Sequence, residues 1–184
     1  MSDQSTIKAR CLCGKEIGPD HPSHAKAQVD EFLRESNAIE GVYDDDSLEH
    51  ARDAWDWLIG HKALTTRLVR EVHKILMYNH LYPHERGYFR SVEVRIGSGY
   101  GLPFVEVPKA MDKWVKDAMT SVSEPREDGK HIILDHITYE EIHPFVDGNG
   151  RTGRMFLNWA RVKAGLPLLV IKASEKQKYY SWFK

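Results

Sequence analysis

His143-Pro144-Phe145-Val146-Asp147-Gly148-Asn149-Gly150-Arg151-Thr152-Gly153-Arg154 is the stretch from which the rest of the chain is read. Gly148 and Gly150 let the backbone turn sharply and approach a ligand, so consecutive amides can form a concave anion nest. Met155, Phe156, Trp159 and Val162 follow at helical spacing and stop near Gly165 and Pro167, so the nest opens into the positive end of a helix. Arg151 and Arg154, three apart on the first turn, share a face and present two guanidinium forks suited to successive phosphates. Asp147 would repel a polyphosphate unless a divalent cation lay between them, which points to Mg²⁺ shared with a nucleotide. His143, at the loop entrance, has an ordinary pKa of about 6.5 and can take the proton of an attacking hydroxyl near neutral pH. An ordinary glycine-rich cap between two helices is the plainer alternative, and the joint pattern of base, carboxylate, glycines and paired arginines argues against it.

Outward from this loop the chain reads as helices. Ile132, Ile133, His136 and Ile137 begin one that runs toward Ile142, with His136 expected as a core histidine that hydrogen-bonds the loop. Pro108 opens an earlier one carrying Met111, Trp114, Val115, Ala118 and Met119, which dies in the polar stretch 123–130. Between His80 and Pro108 the chain is punctuated by Pro83, Gly87, Gly97, Gly99, Gly101 and Pro103, and Val92-Glu93-Val94-Arg95-Ile96 alternates with period two. That pattern predicts a β-hairpin whose return strand is Phe104–Val107 and whose tip is Gly97–Gly101.

The N-terminal part predicts three more helices. One starts at Ser23, aligns Val29, Phe32, Leu33, Ser36 and Glu40, and stops at Gly41. A second is capped by Asp46 and Glu49 and runs through Leu48, Ala51, Trp55, Leu58 and Ile59 to Gly60; a third opens at Thr65 or Thr66 and carries Leu68, Val72, Ile75 and Leu76. With a short C-terminal helix this makes seven, plus one hairpin and no repeats. The expectation is an all-α bundle over residues 23–184 behind an irregular segment, residues 1–22.

Composition narrows the function. The 184 residues hold 26 Lys+Arg against 27 Asp+Glu, a net charge of −1, so no electropositive field exists to hold nucleic acid or an acidic membrane. Hydrophobic residues make up 41%, which supports a packed core. The longest apolar run, around Leu166–Ile171, is too short to span a bilayer, so no membrane contact and a cytoplasmic location are expected. Cys11 and Cys13 are too close for a framework disulfide. With His21 and His24 they could offer four ligands to zinc, although the C-x-C spacing is unfavourable.

The run 143–154 resembles the signature of the Fic family, HPFxDGNGRxGR, at every fixed position. The resemblance implies a helical bundle with a β-hairpin flap beside the active loop, and transfer of AMP from ATP to a Ser, Thr or Tyr hydroxyl of a protein. By that likeness His143 deprotonates the hydroxyl, Asp147 holds Mg²⁺, and the amides around Gly148, Asn149 and Gly150 cradle phosphates. Arg151 would bind the α/β-phosphate region, Arg154 the γ-phosphate, and Phe145 would anchor the loop. The flap, Val92, Glu93, Val94, Arg95 and Ile96, would pair with the backbone of the target segment. Tyr179, Tyr180, Trp182 and Phe183 either wall an adenine pocket or pack as a C-terminal helix.

Ser36-Asn37-Ala38-Ile39-Glu40-Gly41 is similar to the family's inhibitory motif, (S/T)xxxE(G/N). Helical spacing puts Ser36 and Glu40 on one face, and the likeness implies that Glu40 pairs with Arg154 and keeps ATP from seating productively. Transfer of UMP, removal of AMP, and nucleotide sensing without transfer are the alternatives. The intact Gly148–Arg151 run favours nucleotidyl transfer. A homo-oligomer stays open, and neither the target protein nor the trigger that relieves Glu40 is written in the sequence.

Overall fold

The computed structural model describes residues 26–97, 99–126 and 128–183. The N-terminal segment with Cys11, Cys13, His21 and His24 lies outside the described residues. Helix α1 (Lys26–Ile39) buries Phe32, Leu33, Ser36, Asn37 and Ile39. It ends in a paired turn: Gly41, at φ 76°, donates to Ala38 O at 3.1 Å, and Val42 donates to Asn37 O at 3.1 Å. A left-handed glycine is what this C-terminal motif requires, and it fixes the direction in which Glu40, the cap residue, leaves the helix.

Helix α2 (Asp45–Ile59) is capped by Asp44, whose carboxylate accepts from Ser47 N at 2.8 Å. The expected Asp46–Glu49 cap is therefore shifted: Asp44 is the extended residue whose side chain can reach the third amide, and Asp46 is already helical. Helix α3 (Thr66–Leu76) has Thr65 as its cap, accepting from Leu68 N at 3.0 Å.

The hairpin is shorter than the alternation implied. Strands β1 (Arg95–Ile96) and β2 (Gly99–Tyr100) pair antiparallel, Arg95 with Tyr100 and Ile96 with Gly99. Val92 and Glu93 stay outside the ladder, and Val94 contributes one carbonyl, accepting from Gly101 N at 3.0 Å. The expected return strand at Phe104–Val107 does not form. Phe104–Glu106 is a 3₁₀ turn and Val107, fully buried, begins helix α4 (Val107–Ser123). Pro108 accounts for this, because it has no N–H for a ladder and is pre-set for a helix start.

Helices α5 (Lys130–Ile142) and α6 (Asn149–Lys163) flank the loop, and α7 (Lys176–Tyr180) follows. Helix α6 is the centre: α1, α2, α3, α4 and α5 all pack on it, and nearly every residue from Arg151 to Ala160 is buried. Phe156 sits between Trp114 and Tyr139, with ring centroids 5.7 and 5.4 Å away; full burial of such a side chain stabilises the bundle by about 2–3 kcal/mol. Seven α-helices and one two-stranded hairpin among the described residues make an all-α bundle. No described helix is long and apolar enough to cross a membrane.

Candidate active site

The loop begins where α5 stops. His143 caps that helix in the left-handed conformation, φ 49° and ψ 64°, the one positive-φ residue other than glycine among those described. Such a backbone costs about 1–3 kcal/mol, so its surroundings must hold it. Its Nδ1 lies 3.2 Å from Glu140 O; a carbonyl only accepts, so Nδ1 carries the hydrogen and Nε2 keeps its lone pair. Burial lowers the pKa of the ring, and Arg90 lowers it further against the opposing pull of Glu40 and Asp147. The imidazole is neutral at physiological pH and able to accept a proton.

Phe145 is the loop's buried side chain, stacked on His73 with centroids 3.7 Å apart and planes 9° off parallel. His73 Nε2 donates to Asp147 O at 3.0 Å while Nδ1 accepts from Gly87 N at 2.9 Å, which fixes one neutral tautomer. Burial pushes the pKa of His73 down to about 4. The Asn149 side chain closes the turn by accepting from Phe145 N at 2.8 Å and donating to Phe145 O at 2.9 Å. Gly148, at φ 77°, turns tightly over Met77, whose sulfur would lie 2.5 Å from any Cβ placed there.

The loop then delivers the first turn of α6, whose leading amides have no intrahelical partners. Arg151 is 3% exposed, and its Nε and Nη1 have no hydrogen-bond partner among the described residues. A buried cation with unfilled donors beside a helix N-terminus has the chemistry that suits an anion. Asp147 stands at the rim, its side chain 62% exposed, with Oδ1 accepting from Gly148 N at 2.6 Å and Oδ2 3.8 Å from Arg151. Among the described residues no three His, Cys, Asp or Glu cluster to cage a metal ion. A single rim carboxylate does not cage a cation alone, and it fits only one, such as Mg²⁺, whose other ligands come from a bound phosphate group.

Arg154 is 2% exposed and is held mainly by α1 and the Glu40 that follows it. Its Nε donates to Ser36 Oγ at 2.9 Å, and Nη2 donates to Ser36 O at 2.9 Å and to Glu40 Oε1 at 2.7 Å. Nη1 points to Tyr179 OH at 3.4 Å. Any Cβ at position 150 would collide with Glu40 Oε1, so glycine there admits the carboxylate against α6.

A family model described as Fic/DOC family matches residues 63–160. This chain belongs to the Fic/DOC family. It is 30% identical over 131 residues to a protein named Protein adenylyltransferase Fic from Drosophila ananassae, covering 69% of this chain and 25% of that one. The namesake from Drosophila melanogaster is 31% identical over 125 residues, covering 66% and 24%. The chain spans about a quarter of the length of these curated relatives. Among solved structures, a Fic domain containing signaling protein from Bacteroides thetaiotaomicron superposes with a TM-score of 0.74 at 20% identity, covering 85% of this chain and 70% of the other. Fic-1 from C. elegans gives 0.67 at 20% identity, covering 85% and 54%. At such identity the likeness concerns the fold.

In this Fic domain the loop, the hairpin and the end of α1 converge on a cleft of about 690 Å³, bordered by Glu40, Arg95, Ile96, Tyr100, His143, Gly150, Arg154, Tyr179, Tyr180 and Phe183. The hairpin reaches it with Arg95 and Ile96; Val92, Glu93 and Val94 do not line it. Tyr179 packs as a helical residue, 3% exposed, and also forms part of the cleft wall.

One expected partner differs, and several other residues escaped the sequence reading. His136 is a core histidine, but its Nε2 bonds Tyr179 OH at 2.9 Å and not the loop, because seven residues of helix carry it a full two turns below. Glu140 is buried with Oε1 lacking a partner among the described residues, and burial lifts its pKa to about 7 against the pull of Arg154. Lys176 Nζ donates to Ile39 O at 2.6 Å, Ala173 N donates to Glu35 Oε2 at 2.7 Å, and Lys172 pairs with Glu31 and Glu35, so the C-terminal segment holds α1 in place. Arg90 has a fully buried side chain.

Proposed function

We propose that this Fic domain transfers AMP from ATP to a Ser, Thr or Tyr hydroxyl of a protein, and that Glu40 restrains it through Arg154. Arg151 carries the reading: a buried guanidinium with two unfilled donors, at a helix N-terminus and in one loop with a neutral histidine, is built for a phosphate chain being attacked. His143 Nε2 takes the hydroxyl proton as the hydroxyl oxygen bonds to the α-phosphorus; the bond to the bridging oxygen breaks, and pyrophosphate leaves. Amides of Gly148, Asn149 and Gly150 and the Arg151 fork orient the phosphates, with Arg154 assigned to the γ-phosphate. Asp147 would hold Mg²⁺ shared with the nucleotide, which when bound offsets phosphate charge. The edge of Arg95–Ile96 would receive the target segment by strand pairing. The name of the relatives, Protein adenylyltransferase Fic, supports the chemistry.

Restraint follows from the occupied guanidinium. While Glu40 accepts from Arg154 Nη2, a γ-phosphate meets a carboxylate where it needs a donor, so ATP binds with its α-phosphate misaligned. The test is to incubate Glu40→Gly with a lysate and α-labelled ATP, beside γ-labelled ATP, α-labelled UTP and the double variant with His143→Ala. Protein label from α-labelled ATP alone, lost with His143, supports the reading. Label from UTP, or tight ATP binding with no label at all, overturns it.

A further inference from the structure

We propose that Arg90 is a positioning residue that ties the backbone of His143 to both arms of the flap, so that the base and the strand edge that receives the target are held as one body. This rests on reading His143 as the base.

The geometry is unusual for a cation. Arg90 has a side chain with no exposed surface, and burial lowers its pKa; its charged partner is the half-exposed Glu93, 3.6 Å away. Backbone carbonyls fill the fork. Nε donates to His143 O at 2.7 Å and Nη2 to Ile142 O at 3.3 Å, while the backbone N–H of Arg90 donates to Pro144 O at 2.9 Å. Three consecutive carbonyls across the end of α5 therefore belong to one residue. The remaining donors reach the hairpin on both sides: Nη1 to Val92 O at 2.9 Å before β1, and Nη2 to Leu102 O after β2. Gly101 leaves the space this needs, since a Cβ there would stand 3.2 Å from Arg90 Nη2.

Arginine suits this task and lysine does not. A planar guanidinium presents five donors in a rigid fork and can bridge acceptors on separate segments, whereas an ammonium is a single point. A buried charge that served the core alone would be less stable than an apolar side chain of its size. What the cation supplies is a fixed distance between His143, held at φ 49° through its own carbonyl, and the hairpin. Transfer requires the target hydroxyl, presented from the flap, to come within hydrogen-bond reach of His143 Nε2, and a misplacement of about 1 Å costs about a hundredfold in rate.

Arg90 also faces His143 electrostatically. Burial lowers the pKa of the ring, the Nδ1 bond to Glu140 O raises it, Arg90 lowers it, and the carboxylates of Glu40 and Asp147 raise it. Removing the charge at position 90 therefore moves the ring pKa up, and keeping the charge does not.

Arg90→Lys and Arg90→Gln separate the two effects, each placed in the Glu40→Gly background with full-length protein. Expected for Arg90→Lys is a fall in kcat of about tenfold or more, with ATP Kd within about twofold and the acid limb of the pH–rate profile unmoved. Arg90→Gln should lose rate similarly and shift that limb to higher pH. Amide hydrogen exchange adds a readout independent of activity: in both variants the amides of Ile96, Tyr100 and Gly101 and those of the 143–149 loop should lose protection together. NMR titration of the His143 ring reports its pKa without turnover. If a folded Arg90→Lys transfers at the parent rate, or the hairpin loses protection while the loop does not, the proposal is wrong. If the Glu40→Gly parent transfers nothing, the reading of His143 fails, and exchange and titration still decide whether Arg90 couples the two segments.

Discussion

Glu40 Oε1 accepts a hydrogen bond from Arg154 Nη2 at 2.7 Å across 114 residues of chain. The arginine is buried and also bound by the hydroxyl and carbonyl of Ser36. A hydrogen bond to a charged group contributes about 1.5–3 kcal/mol.

Glu40→Gly is expected to raise labelling of protein by α-labelled ATP by at least about tenfold, a barrier change of about 1.4 kcal/mol, without a comparable tightening of ATP Kd. Adding Arg154→Ala should lose most of that gain, because the γ-phosphate then has no fork to orient it. Unchanged labelling in Glu40→Gly means that residues 36–41 are an ordinary helix end.

Lys176 should act through the same contact. Its ammonium holds Ile39 O, the residue before Glu40. Lys176→Ala is expected to raise basal labelling about threefold, and to add nothing in the Glu40→Gly background, since both changes release one lock. An additive increase in the double variant points to a separate effect.

Asp147→Ala should lower transfer by about a hundredfold and abolish its dependence on Mg²⁺ concentration, because the in-line geometry relies on a cation the protein no longer holds. The check is a Mg²⁺ titration of the initial rate. An unchanged optimum and rate removes Asp147 from the metal.

His73 predicts a pH dependence of stability. Its folded pKa, about 4, lies below the ordinary 6.5 because burial disfavours the charged ring. The unfolded chain therefore takes up a proton between about 6.5 and 4 that the fold refuses. The part of the stability that rests on a neutral His73 is fully present above that window and falls by about 3 kcal/mol on acidification to pH 4. Denaturant titrations of the parent and of His73→Asn at pH 7 and 4.5 measure this: the variant should lose much less on acidification, and equal slopes dismiss the assignment.

Short-range chemistry was legible in the sequence. Gly148 and Gly150 announced the turn, Thr65 and Gly41 marked helix ends, and the apolar spacing of α2 through α5 placed their buried faces, because each depends on neighbours within about one or two turns. Ser36 and Glu40 shared a face for the same reason. The hairpin's extent was not legible: alternation at Val92–Ile96 states a preference, but a ladder needs a partner in register, and Pro108 commits the expected partner to α4. Nor did polarity reveal that Arg151, Thr152, Arg154 and Asn158 are buried, since five helices surrounding α6 decide that. The stack of His73 on Phe145 and the reach of Arg90 join segments more than fifty residues apart. Arg90 shows the physical limit: its partners are carbonyl oxygens, every residue has one, and only the folded chain selects which of them a buried guanidinium meets.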